Sequence, residues 1–259
     1  MSLFSLEIVL ALLVATFVAG TVNGLAGFGF AVVGTMALAT VISPGLAVVS
    51  MIVPILAANL TLLSELSAEQ LTSCGRRFGP LVGSALVGTV AGMVLLDVLP
   101  EAPLRAGLGA ITLGFVATQQ KAVALPKLGG AGGSPLETPG AMVAIGSVSG
   151  LLFGATNVGV QLVAYLRGRE LSHSLFVGVV AMVFVGINGI RVGAAGLLGL
   201  YPSLSVFGLS VLAAIPGIAG VAVGSRLRSR VSAQHRRWAV LGLLTSIGLR
   251  LLAGGFGIA

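Results

Sequence analysis

The chain has 259 residues, 56% hydrophobic and 8% charged, with a mean hydropathy of +1.11. A water-soluble domain carries about 25% charged residues, so lipid rather than water must solvate most of this surface. The formal charge of +7 does not point to nucleic acid, because the bases fall in short stretches between apolar runs, where they read as signals that hold loops on the cytoplasmic side. A single cysteine, Cys74, excludes an internal disulfide and a cysteine metal site.

The N-terminus runs from Glu7 straight into apolar sequence, with no basic region and no cleavage motif, so no removable signal is expected. Residues 8–64 then contain no charged side chain, a run of 57. Asn23-Gly24-Leu25-Ala26-Gly27-Phe28-Gly29 interrupts it first, and Ser43-Pro44-Gly45 again. Eight hydrophobic segments follow in order, at about 5–41, 46–64, 78–99, 104–120, 140–166, 172–199, 203–225 and 237–256. None alternates apolar with polar positions, so all are expected to be helices and the fold all-α.

A Gly/Pro-rich linker, 125–139, separates a first membrane repeat, 1–124, from a second, 140–259. Val22-Asn23-Gly24-Leu25 resembles Val148-Ser149-Gly150-Leu151, Ser43 and Asn59 lie 129 residues before Ser172 and Asn188, and Gly88-x-x-x-Gly92 with Arg105 lies 132 before Gly220-x-x-x-Gly224 with Arg237. Together, in the same order, these matches indicate a diverged duplication, a common plan of secondary transporters.

The basic residues outside the segments test how the chain crosses the membrane. We assign Arg76 and Arg77 to the loop after segment two and Arg105 to the loop after segment three. Lys121 and Lys127 follow segment four, Arg167 and Arg169 segment five, and five arginines from Arg226 to Arg237 segment seven. If segment five crosses once, these divide 8 to 4 between the two sides; if it returns to its own side, they divide 11 to 1. The second division fits the positive-inside bias. Segment five has 27 residues, too few for two spans of about 20. A hairpin broken at Gly154-Ala155-Thr156-Asn157-Val158-Gly159 reconciles the two, with a matching break near Asn23–Gly29 in segment one. Each repeat is then a broken-helix hairpin plus three transmembrane helices. The odd count inverts the second repeat, and both termini lie outside the cytoplasm.

A helix broken in lipid must line a protein-enclosed cavity, and the amide end of the next half-helix attracts anions without a charged side chain. Asn23, Gly24, Gly27, Phe28 and Gly29 with Gly154, Thr156, Asn157 and Gly159 are therefore the expected binding residues for a small anionic solute near mid-membrane. The alternative reading of these glycines is tight helix packing. Arg191, inside segment six, is costly in lipid unless it faces a cavity or partner, and its planar fork suits an oxyanion; the alternative is an arginine reaching to the interface. Asn188, one turn before it, Asn59 at the matching repeat position, and Gln161 just past the second break join the set, or else glue helices together. No Asp or Glu sits deep in either hairpin, so no proton relay is visible. Metal-ligand clusters, a nucleophile triad and a phosphate loop are absent from the sequence, which excludes the usual enzyme readings, and no cofactor is expected.

Asn23-Gly-Leu-Ala-Gly-Phe-Gly-Phe30, then Ser43-Pro-Gly-x-Ala-Val48, then Gly146-x-x-x-Gly-Leu-Leu-Phe-Gly154 and Asn188-x-x-Arg191 resemble the TauE/SafE (TSUP) sulfite-exporter family along essentially the whole chain. That resemblance implies an inner-membrane secondary transporter working as an exporter of sulfite, a sulfonate or another organosulfur anion. It leaves a homodimer open as partner. The second break carries fewer glycines than that family's pattern. The competing functions are an anion channel and a membrane scaffold without transport.

Overall fold

A computed structural model describes residues 5–26, 29–63, 68–118, 138–159, 162, 166 and 173–258. Among the described residues the secondary structure is helical throughout: α1 Leu6–Ala26, α2 Phe30–Ala39, α3 Pro44–Ser50, α4 Ile52–Leu63, α5 Ala68–Val98, α6 Glu101–Thr118, α7 Pro139–Thr156, α8 His173–Leu197, α9 Leu204–Leu227 and α10 Ala233–Gly255. Six stretches of these residues are long and apolar enough to cross a membrane. Their outward faces stay apolar, with Val87 and Leu204 72% and 84% exposed, as lipid contact requires.

The helix starts follow local chemistry. Thr138 accepts from the Ala141 amide at 3.2 Å with Pro139 at the first helical position, and Ser232 accepts from the His235 amide at 3.3 Å. The sequence assignment of Arg76, Arg77, Arg105, Arg226, Arg236 and Arg237 to loops is corrected, the last three lying in α9 and α10. The first two lie inside α5, which begins ten residues before the apolar run, and Arg105 lies in α6, 4.0 Å from Glu101 one turn earlier. A helix can leave the hydrocarbon and continue, so the end of an apolar run marks the lipid boundary rather than the helix boundary.

Two compact units divide the chain, one formed by residues 1–58, 97–124 and 199–259, the other by 59–96 and 125–198. In the first, α1 and α9 run parallel. Their backbones touch because Gly20 and Gly24 on one face Gly217, Val221 and Gly224 on the other, while Gly220 meets Phe17. Helix α2 folds back along α1, bringing Gly34 beside Ala19. α6 and α10 run antiparallel through Gly109, Gly248 and Gly255. Small residues at such crossings allow the close packing on which association in lipid depends.

Between α3 and α4 the chain kinks at Met51, and the cause lies one turn on. Pro54 has no amide to offer the Ser50 carbonyl, and Ser210 Oγ of α9 donates to that carbonyl instead at 2.7 Å, fully buried.

In the second unit α5 and α7 run parallel, with Gly88 and Gly92 against Ser147 and Leu151, and Gly146, Gly150 and Gly154 against Leu81, Ala85 and Thr89. Gly154 is therefore level with Thr89–Gly92, inside the apolar stretch Phe78–Val98. In the first unit Gly24 is level with Val221–Ser225, at the last turns of α9. The described arms before both breaks, α1 and α7, are long enough to cross the membrane. Each described first arm is thus a full-length helix.

Candidate functional site

The second break begins where α7 stops. Asn157 takes a left-handed conformation, φ 60° and ψ 11°, which Asn tolerates better than most residues. Its amide reaches back to the Phe153 carbonyl at 2.9 Å. A continuing helix would send the Val158 amide to the Gly154 carbonyl. Instead that amide donates to Thr156 Oγ1 at 3.2 Å, while Thr156 Oγ1 donates to the Leu152 carbonyl. The Gly154 carbonyl is left over, one of the acceptors every helix end must satisfy elsewhere.

Arg191 of α8 fills it. Its Nη2 donates to the Gly154 carbonyl at 3.3 Å and its Nη1 to Asn188 Oδ1 at 3.3 Å. Asn188 is fixed in turn, its Nδ2 donating to the Phe184 carbonyl at 2.8 Å. The guanidinium lies 5.0 Å from the centre of the Phe153 ring, which packs 5.1 Å from Phe184. Arg191, Asn188 and Asn157 are fully buried. The guanidinium does not reach out to an interface; it sits inside the unit, held by two hydrogen bonds and an aromatic face. Gly159 packs flat on the Phe184 ring, which a Cβ there would run into.

Gly154, Thr156, Asn157, Gly159, Asn188 and Arg191 are thus brought together. Phe153 and Phe184, which hold the arginine, were not singled out in the sequence. Phenylalanine in an apolar run carries no signal of its own; only the spacing of Phe184 one turn before Asn188 and of Phe153 next to Gly154 marks them.

What α7 presents to Arg191 is its carbonyl end, the negative pole of the helix; the amides expected at this break belong to the start of the following segment. The start of the following segment, with Gln161, lies outside the described residues.

In the first unit, Asn23 and Gly24 belong to α1 itself, which continues to Ala26. Gly24 is buried against α9, where a Cβ would lie 2.8 Å from Gly224 Cα, so it serves the close crossing of these helices. Gly27 and Phe28 lie outside the described residues. Gly29, at φ 103°, is the N-cap of α2, a conformation a side chain would resist. Asn59 lies half-buried in α4.

Contacts in the two units can be compared residue by residue. Gly24 meets Val221 O and Gly224 Cα, and Gly154 meets Thr89 O and Gly92 Cα; Gly220 meets Phe17 O and Thr21 N, and Gly88 meets Ser147 O and Leu151 N. These patterns superpose when α1 is advanced by 130 residues onto α7 and α5 by 132 onto α9. Gly24 then corresponds to Gly154 and Gly29 to Gly159. The sequence match of Gly24 with Gly150 is one helical turn out of register and is corrected here.

Long apolar helices with lipid-compatible faces, interrupted twice, and a fully buried arginine at one interruption define a multi-pass membrane protein. The model of the family "Sulfite exporter TauE/SafE" matches residues 12–251, and the chain belongs to that family of membrane transporters. Nothing among curated proteins or solved structures matches it.

Proposed function

We propose that the chain is a secondary transporter that exports a small organosulfur anion, sulfite or a sulfonate, and that Arg191 with Asn188, Asn157 and the second break forms its anion site. The observation that carries this reading is the guanidinium of Arg191, fully buried at a helix break beside a carboxamide and an aromatic ring. A buried cation in a membrane protein is costly and retained for function. Its planar fork matches two oxygens of a sulfite or sulfonate group. Asn23, Gly27, Phe28, Gly29, Asn59, Thr156, Gly159 and Gln161 complete the proposed set; Gly24 and Gly154 enter through helix packing and through their carbonyls.

The proposed frame is two inverted repeats, 1–124 and 140–259, joined by 125–139, with basic ends of helices in the cytoplasm and both termini outside. Support comes from the recurrence, at a nearly constant offset, of contacts pairing a first-half helix with a second-half one: α1 with α9, and α5 with α7. Tags at both termini that react only from the cytoplasm sink this topology.

The functional test is sulfite flux in proteoliposomes, with taurine and sulfoacetate as competitors. Saturable flux that competitors inhibit supports the carrier. Non-saturating flux makes the protein a channel, and absence of flux for every anion leaves a scaffold.

A further inference from the structure

The α9–α10 turn carries an arginine that reaches the end of α1, before the first break. Arg228 Nε donates to the Gly24 carbonyl at 2.9 Å, and Arg236 Nη1 donates to the Arg228 carbonyl at 2.9 Å, so the turn is fastened to the end of α1. Gly24 is the residue that the contact patterns superpose on Gly154, and the Gly154 carbonyl is the one Arg191 caps. The same acceptor in each unit therefore takes a guanidinium. The two arginines are not repeat equivalents: the offsets that relate the units place Leu62 opposite Arg191 and Leu96 opposite Arg228. A need shared by both breaks has been met twice from different helices.

The two solutions differ in one respect. Arg191 is inaccessible, whereas Arg228 is exposed and rests on a turn at the end of a helix. A bond made from an exposed turn opens at far lower cost than one enclosed in a packed unit.

We infer that Arg228 is a positioning residue for transport, a surface latch that holds the last turn of α1 at the first break and releases it during the cycle. The inference rests on the transport reading above, in that the cycle it serves is anion transport. Arg228 acts through the α1 backbone and contacts no solute, so its loss alters how often the first break is correctly formed, not how tightly the anion is held.

The test uses the full chain in proteoliposomes with sulfite as probe. Arg228→Met, which removes every side-chain N–H, lowers Vmax about tenfold, the worth of one charge-assisted hydrogen bond, with KM within about twofold. Arg228→Lys keeps most of the rate, since a single carbonyl needs a single N–H donor. Arg226→Met and Arg230→Met, which remove the same charge two residues away on either side, leave Vmax unchanged. Hydrogen exchange of α1 amides before the break is measured in parallel and rises about tenfold in Arg228→Met. Unchanged Vmax in Arg228→Met, or equal losses in all three methionine variants, overturns the inference. If the wild type moves no sulfite or other anion, the transport reading fails, and the exchange arm decides the latch alone: unaltered exchange in Arg228→Met removes it.

Discussion

Replacing Arg191 by lysine separates what a buried charge does from what a planar fork does. The guanidinium serves two acceptors at once, the Gly154 carbonyl and Asn188 Oδ1, each at 3.3 Å, and its face lies 5.0 Å from the Phe153 ring centre. An ammonium on a flexible stem keeps the charge but cannot span two acceptors that the fork holds apart. Losing one hydrogen bond from a charged group costs about 1.5–3 kcal/mol, and weakening the contact with the ring about 0.5–2 kcal/mol. A total near 3 kcal/mol lies within what a stable membrane domain survives, so the variant folds with a lower melting temperature. On the proposed reading the same geometry faces the anion, and a loss of even about 1.4 kcal/mol at the binding step is tenfold in affinity. Initial rates of sulfite flux over a range of concentrations, scaled to correctly inserted protein, are the assay. The expected result is a KM at least about tenfold higher in protein of normal abundance. Wild-type kinetics in Arg191→Lys, with the melting point lowered, refute the role in binding and leave Arg191 as the cap of α7.

Further substitutions test the frame around it. Gly24→Ala and Gly154→Ala each drive a methyl group into the backbone of the facing helix; each lowers stability by about 1–3 kcal/mol in a detergent melt. Gly114→Ala in α6, with nothing within 4 Å, serves as comparison and is neutral or gains up to about 1 kcal/mol. Ser210→Ala leaves the Ser50 carbonyl without a donor beneath Pro54 and costs about 1–3 kcal/mol. The cost shrinks in a Pro54→Ala background, where the restored amide reaches Ser50; a double-mutant cycle with no coupling disproves this account of the kink. Asn157→Gly keeps the left-handed turn at φ 60° and costs about 1–3 kcal/mol for the lost buried carboxamide, while sulfite flux per folded protein falls; unchanged flux removes Asn157 from the site.

Much of the architecture was legible before any coordinates, because lipid permits so little. A charge-free run of sufficient length can only be helix, and the described parts of the eight expected segments are helices or pairs of helices. The breaks were legible for the same reason: Gly27–Gly29 and Asn157–Gly159 cannot continue a helix cheaply, and α1 and α7 stop just before them. Register was not legible. Gly150 and Gly154 both lie on the face of α7 that packs on α5, one turn apart, and a short motif cannot tell one turn from the next on one helix face. Helix ends beyond the lipid were also hidden, since α5 starts at Ala68 among charged residues whose grouping looked like a loop. The partners of Arg191 were hidden most deeply, for a carbonyl is present at every residue and only the fold reveals which one is left without its amide.

That last point bears on how a broken helix can serve an anion. The amide end of a half-helix attracts negative charge, but each break also creates a carbonyl end that repels it. The described parts of the two breaks answer this alike: Arg191 bonds the Gly154 carbonyl and Arg228 the Gly24 carbonyl. A guanidinium has five N–H donors and stays a cation when it donates to a carbonyl. Each arginine satisfies an acceptor that lipid cannot, and on the proposed reading Arg191 also turns the repelling pole of its break into a positive one. On this argument both breaks are tolerated because they are capped, and the second suits an anion because its cap is buried and charged. A neutral donor in the same place, such as a glutamine at 191, would satisfy the carbonyl and still leave the pole negative. It would keep the fold while losing the solute.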